Sequence, residues 1–126
     1  MTGRKKIRLE FEIRASPAMV YSYISLPYGL SKWFCNDVLV FKNNFTFIWD
    51  NEELTAELVK QSNNKCIKFH WKETSADEFL EFEIIKDELT GDVALVVIDF
   101  VDETDEINAT KLWESQIHDL RGALGA

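Results

Sequence analysis

The stretch "INATKLWESQIHDLRGALGA", Ile107 to Ala126, decides the fold. Trp113, Ile117, Leu120 and Leu124 recur at spacings of four, three and four, the period of a helix with one apolar stripe. Ala109 and Gln116 flank that stripe, while Glu114, His118 and Arg121 lie further round or opposite. The acidic run "DETDE" (Asp102 to Glu106) just before it suits the positive end of a helix dipole. As a calcium loop the run fails, lacking the alternating ligand ladder and the terminal glutamate. A long amphipathic helix needs an apolar surface to lie on, so the rest of the chain is read for one.

That surface comes from strands. "KKIRLEFEIRA" alternates Ile7, Leu9, Phe11 and Ile13 against Arg8, Glu10, Glu12 and Arg14, a strand with one wet face. Further on, "DVLVF" leads through Lys42-Asn43-Asn44 into "FTFIWD", and "ELTAELVK" through Ser62-Asn63-Asn64 into "CIKFHWKE". "EFLEFEIIK" then passes through "DELTGD" to "VALVVIDFV", which is apolar on both faces. Alternate positions put Phe45, Phe47 and Trp49 on one face, and likewise Ile67, Phe69 and Trp71, and Leu80, Phe82 and Ile84. Lys68, His70, Glu81 and Glu83 take the other face, where the two glutamates are expected to be solubilising charges.

Between the first strand and the others lies "SPAMVYSYISLPYGLSKWFCND". Ser16 is a good N-cap and Pro17 stands at the first helical position. Val20 and Ile24 share a buried face with Tyr23 on its flank, and the helix must end before Pro27. A second short helix is expected over Leu30 to Phe34. The order is therefore a strand, two short helices, five or more antiparallel strands and one long helix. This is an α+β architecture in which a curved antiparallel sheet wraps around the last helix.

These segments resemble the START-like superfamily, whose helix-grip fold is shared by lipid-transfer domains, polyketide cyclases and the birch-pollen allergen family. The branch containing the heat-shock-chaperone ATPase activator domain is nearest. The similarity rests on Ser16, Pro17, Val20 and Tyr21, on Trp33 and Phe34, on Phe45 to Asp50, and on "KLWESQIHDLRGALG". It covers nearly the whole chain and implies a single domain over residues 1–126. It also implies a hydrophobic cavity between long helix and sheet, reached past the short helices. Small stand-alone bacterial members of the family look most similar at the tail.

Bulk properties narrow the function classes. The chain has 126 residues, 46% of them hydrophobic, enough for a core without metal or disulfide staples. Its formal net charge of −8 repels phosphate backbones, which argues against nucleic acid. No apolar run is long enough to span a bilayer and no signal-peptide core opens the chain, so a cytoplasmic location is expected. Two cysteines and two histidines offer no metal-ligand spacing, and no cofactor is expected.

Catalysis would need a nucleophile with a base, a metal or paired acids in a pocket. Cys35 is expected to be a packed, inert thiol, because neither His70 nor His118 is placed to share its surroundings. Cys66 shares the phase of Lys68 and is expected at the surface or an edge. The chain thus reads as a non-enzymatic binding module for a small apolar or lipid-like ligand. The expected lining is Trp33, Phe34, Phe45, Phe47, Phe69, Trp71, Phe82, Trp113 and Ile117, with Gln116 offering a polar contact. A protein-interaction domain, such as a chaperone accessory factor, is the alternative, and a cyclase- or hydrolase-type enzyme ranks last. The chain would be a monomer, or a homodimer through an exposed sheet edge.

Overall fold

The computed structural model describes residues 3–74 and 77–125. Strand β1 (Arg4–Ile13) is followed by helices α1 (Pro17–Ser25) and α2 (Pro27–Leu30). Six strands come next: β2 (Asp37–Phe41), β3 (Asn44–Trp49), β4 (Glu52–Ser62), β5 (Cys66–Trp71), β6 (Leu80–Lys86) and β7 (Val93–Asp102). A single 3-10 turn, Glu103–Asp105, then leads into the long helix α3 (Glu106–Leu124).

The seven strands form one antiparallel sheet in the order β1-β7-β6-β5-β4-β3-β2. From β2 to β7 the chain is a plain meander. The helical segment α1–α2 carries it from one edge of the sheet, at β1, to the other, at β2. Trp113, Ile117 and Leu120 of α3 are buried against the inner face, and Leu124 and Ala109 pack at the margin of that contact. The helix ends at Gly125, whose φ of 73° is the left-handed conformation that glycine adopts without strain.

Helix α1 is built as its residues dictate. The Ser16 hydroxyl accepts a hydrogen bond from the Met19 N–H at 3.2 Å, and Val20 and Ile24 are buried on one face. Helix α2 lies earlier than the expected span of Leu30 to Phe34. Pro27 occupies its first turn, where a missing N–H costs nothing. After Leu30 the chain coils into turns, with the Phe34 and Cys35 N–H groups both donating to the Leu30 carbonyl at 2.9 and 3.3 Å. Gly29 makes the α1–α2 elbow possible, because a Cβ there would overlap the Ser22 carbonyl and the Tyr23 backbone.

On the inner face, Phe45 and Phe47 of β3, Ile67 and Phe69 of β5 and Leu80, Phe82 and Ile84 of β6 are buried in the phase expected of them. In β7 the inward phase is Val93, Leu95, Val97 and Val101, with Val96 buried on the opposite face.

The outer face departs from expectation at two places. Glu81 is only 9% exposed rather than solubilising, aligned with Lys68 of β5 and 3.9 Å from the Lys60 ammonium. Cys66 is buried rather than at the surface, in register between Ser62 of β4 and Glu83 of β6. Both sit on central strands, where long side chains of the adjacent strands cover the outer face.

Candidate functional site

The turn at Leu30–Asn36 determines what fills the space between α3 and the sheet. Because the chain coils there, the Phe34 ring points inward and becomes the centre of an aromatic cluster. It stacks on Trp113 of α3 with ring centres 6.1 Å apart and planes 15° apart. It meets Phe47 edge-on at 5.2 Å, Trp49 at 5.5 Å and Phe82 at 6.0 Å, with Trp33 beside it at 5.5 Å. Phe45, Phe69 and Trp71 continue the cluster across β3 and β5 through contacts of 5.1 to 5.6 Å. These separations and tilts are those favoured by ring quadrupoles, so the rings bind one another.

Each tryptophan of the corner also has its indole N–H satisfied. Trp33 donates to the Tyr23 carbonyl at 2.7 Å and Trp49 to the Phe34 carbonyl at 2.8 Å. Trp113 donates to the Asp99 carboxylate at 3.0 Å. Asp99 stands in the inward phase of β7, among residues that are otherwise apolar. Burial pushes its pKa above the usual carboxylate range, while the N–H groups of Trp113 and Phe100 pull against that rise. The sequence left the phase of this strand open, and so Asp99 was missed. Its signal would have been a lone acid in an alternating apolar run.

Above the ring cluster, between α3 and the Ser31–Asn36 turn, lies an open cleft of about 850 Å³. Trp33 and Phe34 reach it from the turn and Trp49 from the end of β3, and Leu112, Ser115, Gln116, His118 and Asp119 wall it from α3. Of the ten residues expected to line a ligand site, Trp33, Phe34 and Gln116 border this cleft. Phe45, Phe47, Phe69, Trp71, Phe82, Trp113 and Ile117 lie beneath or beyond it, in the packed cluster or against it. Lys32, Trp49, Leu112 and Asp119 were not anticipated as lining. Leu112 and Asp119 sit on the flank of α3 rather than on its stripe, where spacing alone marks them as solvated.

Cys35 and His118 both border the cleft, contrary to the expectation that no histidine would share the surroundings of Cys35. The expectation rests on His118 lying roughly opposite the apolar stripe of α3, whereas the Ser31–Asn36 turn rises beside that flank of the helix. The thiol is nevertheless buried, and that burial pushes its pKa up to about 11, so it stays protonated at neutral pH. Its hydrogen bond is a weak one, to the Leu30 carbonyl at 3.8 Å. Among the described residues no group of three or more His, Cys, Asp or Glu side chains is placed to hold a metal. No helix among them is long and apolar enough to cross a membrane. A smaller cleft of about 560 Å³, lined by Pro17, Lys60, Lys65, Cys66 and Glu83 among others, holds no aromatic side chain.

Comparison with known proteins agrees with this architecture. A solution NMR structure of BfR322 from Bacteroides fragilis is 32% identical, covering 98% of this chain and 92% of its own, with a TM-score of 0.68. The Aha1 dimer from Colwellia psychrerythraea shares the fold at 18% identity and a TM-score of 0.79, with 95% and 96% of the two chains covered. MLL2253 from Mesorhizobium loti does so at 14% identity and a TM-score of 0.76, with coverage of 96% and 97%. Comparison with curated protein sequences finds no match. The model of the START-like superfamily domain matches residues 1–126, and with the helix-grip arrangement of sheet and α3 this places the chain in the START-like superfamily.

Proposed function

We propose that this chain is a non-enzymatic binding module that takes a small apolar or lipid-like ligand at the cleft between α3 and the Ser31–Asn36 turn. The observation that carries the reading is the composition of that cleft. Indole and phenyl rings reach it from Trp33, Phe34 and Trp49, and amide, hydroxyl and carboxylate groups of Gln116, Ser115 and Asp119 stand on the opposite wall. Apolar surface with a few polar groups is the common chemistry of small-molecule sites. A ligand entering more deeply would have to displace the Phe34 ring from its stack on Trp113.

The reading is tested by native mass spectrometry of freshly purified protein and by titration with fatty acids, sterols and aromatic probes. Trp33 and Trp49 border the cleft, so occupancy is expected to change tryptophan fluorescence, and Gln116→Ala is expected to weaken binding several-fold. An absence of binding across the panel would sink it.

A second reading, a protein-interaction domain such as a chaperone accessory factor, draws support from the same geometry. The cleft is open and the rings beneath it are mutually packed, which suits an extended segment of a partner chain. Leu112 on the α3 wall is 61% exposed and can be changed without disturbing the core. Capture of a partner that is lost in Leu112→Asp, with no retained small ligand, would favour this reading over the first.

A further inference from the structure

The sheet ends in two edge strands, β1 and β2, of which β2 is the less guarded. Its neighbour β3 lies on one side only. The hairpin closes through Lys42 and Asn43, with Phe41 aligned to Asn44 and Leu39 to Thr46. In a two-residue hairpin the closing pair exchanges both main-chain hydrogen bonds, and the bonding alternates from there. The main-chain groups of Phe41 and Leu39 therefore turn toward β3, and those of Val40 turn outward. Leu39 is 58% exposed and Phe41 71% exposed, side by side on the outer face, and Val40 is also exposed. Helix α2 packs against the strand's start and Val38 is buried, so the free edge runs from Leu39 to Phe41. Within this strand there is no lysine, proline or bulge, the usual devices that stop an edge from pairing.

We infer that this edge pairs with the β2 strand of a second copy of the chain, antiparallel about a two-fold axis through Val40. A two-fold pairing of identical strands sets one residue opposite itself. With Val40 on the axis, its outward N–H and C=O groups meet those of its counterpart in a hydrogen-bonded pair. Leu39 of each copy then faces Phe41 of the other in the two flanking non-bonded pairs, where side chains approach most closely. All three exposed apolar residues are covered by this single register. The charges agree with it as well. Asp37 begins the strand and Lys42 follows it, so an antiparallel copy brings the acidic end of each strand to the basic end of the other. The contact is short, which places the dimer among small, readily reversible interfaces.

The test is sedimentation of the full chain from micromolar to millimolar concentration, with amide hydrogen exchange under the same conditions. A concentration-dependent dimer is expected, in which the Val40 amide exchanges more slowly as the dimer fills. Phe41→Lys and Leu39→Lys should each weaken it at least tenfold while the circular dichroism stays unchanged. Leu89→Lys, at an apolar residue 97% exposed in the turn after β6, should leave it intact. A chain that stays monomeric at millimolar concentration overturns the proposal and hands the edge to a different partner. So does a dimer that survives Phe41→Lys, or one in which Val40 exchange does not respond.

Discussion

The two edges of the sheet are built from opposite materials. Strand β1 is ten residues long and carries Arg4, Lys5, Lys6, Arg8, Glu10 and Glu12. Its side chains are engaged: Arg4 with Glu78 at 2.8 Å, Lys5 with Glu106 at 2.7 Å, Arg8 with Glu10 at 3.6 Å. The Arg121 guanidinium of α3 reaches over and donates to the Glu12 carbonyl at 3.1 and 2.7 Å, so the last helix covers one end of that edge. Strand β2 has five residues with a single charge, and Leu39, Val40 and Phe41 face solvent. Exposed ion pairs such as those on β1 add little stability. Their effect is to make the edge unattractive to another strand, and the absence of such guards on β2 marks the side of the molecule where contact is tolerated.

The difference extends inward, and the largest expected effect lies there. Edge β2 has a five-residue ladder to β3, whose Phe47 and Trp49 meet Phe34 of the aromatic corner, whereas β1 has a ten-residue ladder to β7. Phe34→Ala removes the ring at the centre of the cluster and leaves a cavity, with an expected loss of about 3–5 kcal/mol in urea denaturation. Hydrogen exchange should quicken in β2 and β3 well before β1. Uniform loosening of both edges would show that the corner does not selectively support β2.

Gly29→Ala comes next. The added methyl group meets the Ser22 carbonyl, so α2 must move off α1 and carry the start of β2 with it. Overpacking of this kind costs about 1–3 kcal/mol. Thermal unfolding measures it, and an unchanged melting temperature would show that the elbow yields freely.

These two sites also show where the fold was legible in the sequence and where it was not. The stripe of Trp113, Ile117 and Leu120 and the alternation in β3, β5 and β6 are periodic over several turns or residues, and the structure follows them. Helix α2 has four residues, too few to show a period, so no spacing separates a helix opening at Pro27 from the expected span of Leu30 to Phe34. The burial of Glu81 and Cys66 was hidden for another reason: alternation tells which face a residue takes but not how crowded that face is. The candidate site suffered most. Aromatic composition announced a ring-rich surface opposite α3, yet whether Phe34 would fill the space or leave it open depended on a turn that no pattern specifies.

On the β1 side the expected effects are smaller. Arg121→Ala removes the two donors to the Glu12 carbonyl in an exposed setting, with an expected cost of about 1 kcal/mol by denaturant unfolding. Hydrogen exchange should rise at the end of β1 near Ile13, with β2 unaffected. A loss seen equally at both edges would mean that Arg121 supports α3 as a whole rather than the edge it touches.

The smallest effect is a matter of pH, again on the β1 side, since Asp99 is aligned with Ile7 of β1. Its folded pKa is raised by burial above the unfolded value of about 3.9. The folded chain therefore binds this proton more readily than the unfolded chain does. The stability contributed by the protonated form is full below the unfolded pKa and is lost as pH rises through the folded one. Glu78 runs the other way: the Arg4 guanidinium lowers its pKa, and its contribution is lost as pH falls. Asp99→Asn removes the first dependence and keeps an oxygen for one of the two N–H donors, Trp113 or Phe100. Near neutral pH the net change should stay below about 1 kcal/mol, because the lost charge-assisted hydrogen bond offsets the relief of burying a carboxylate. The informative quantity is the difference in unfolding midpoint, variant minus wild type, followed from acid to neutral pH. It should grow as pH rises through the acid range and then level off. A difference that is flat with pH would mean that the Trp113 and Phe100 donors fully compensate the carboxylate for its burial.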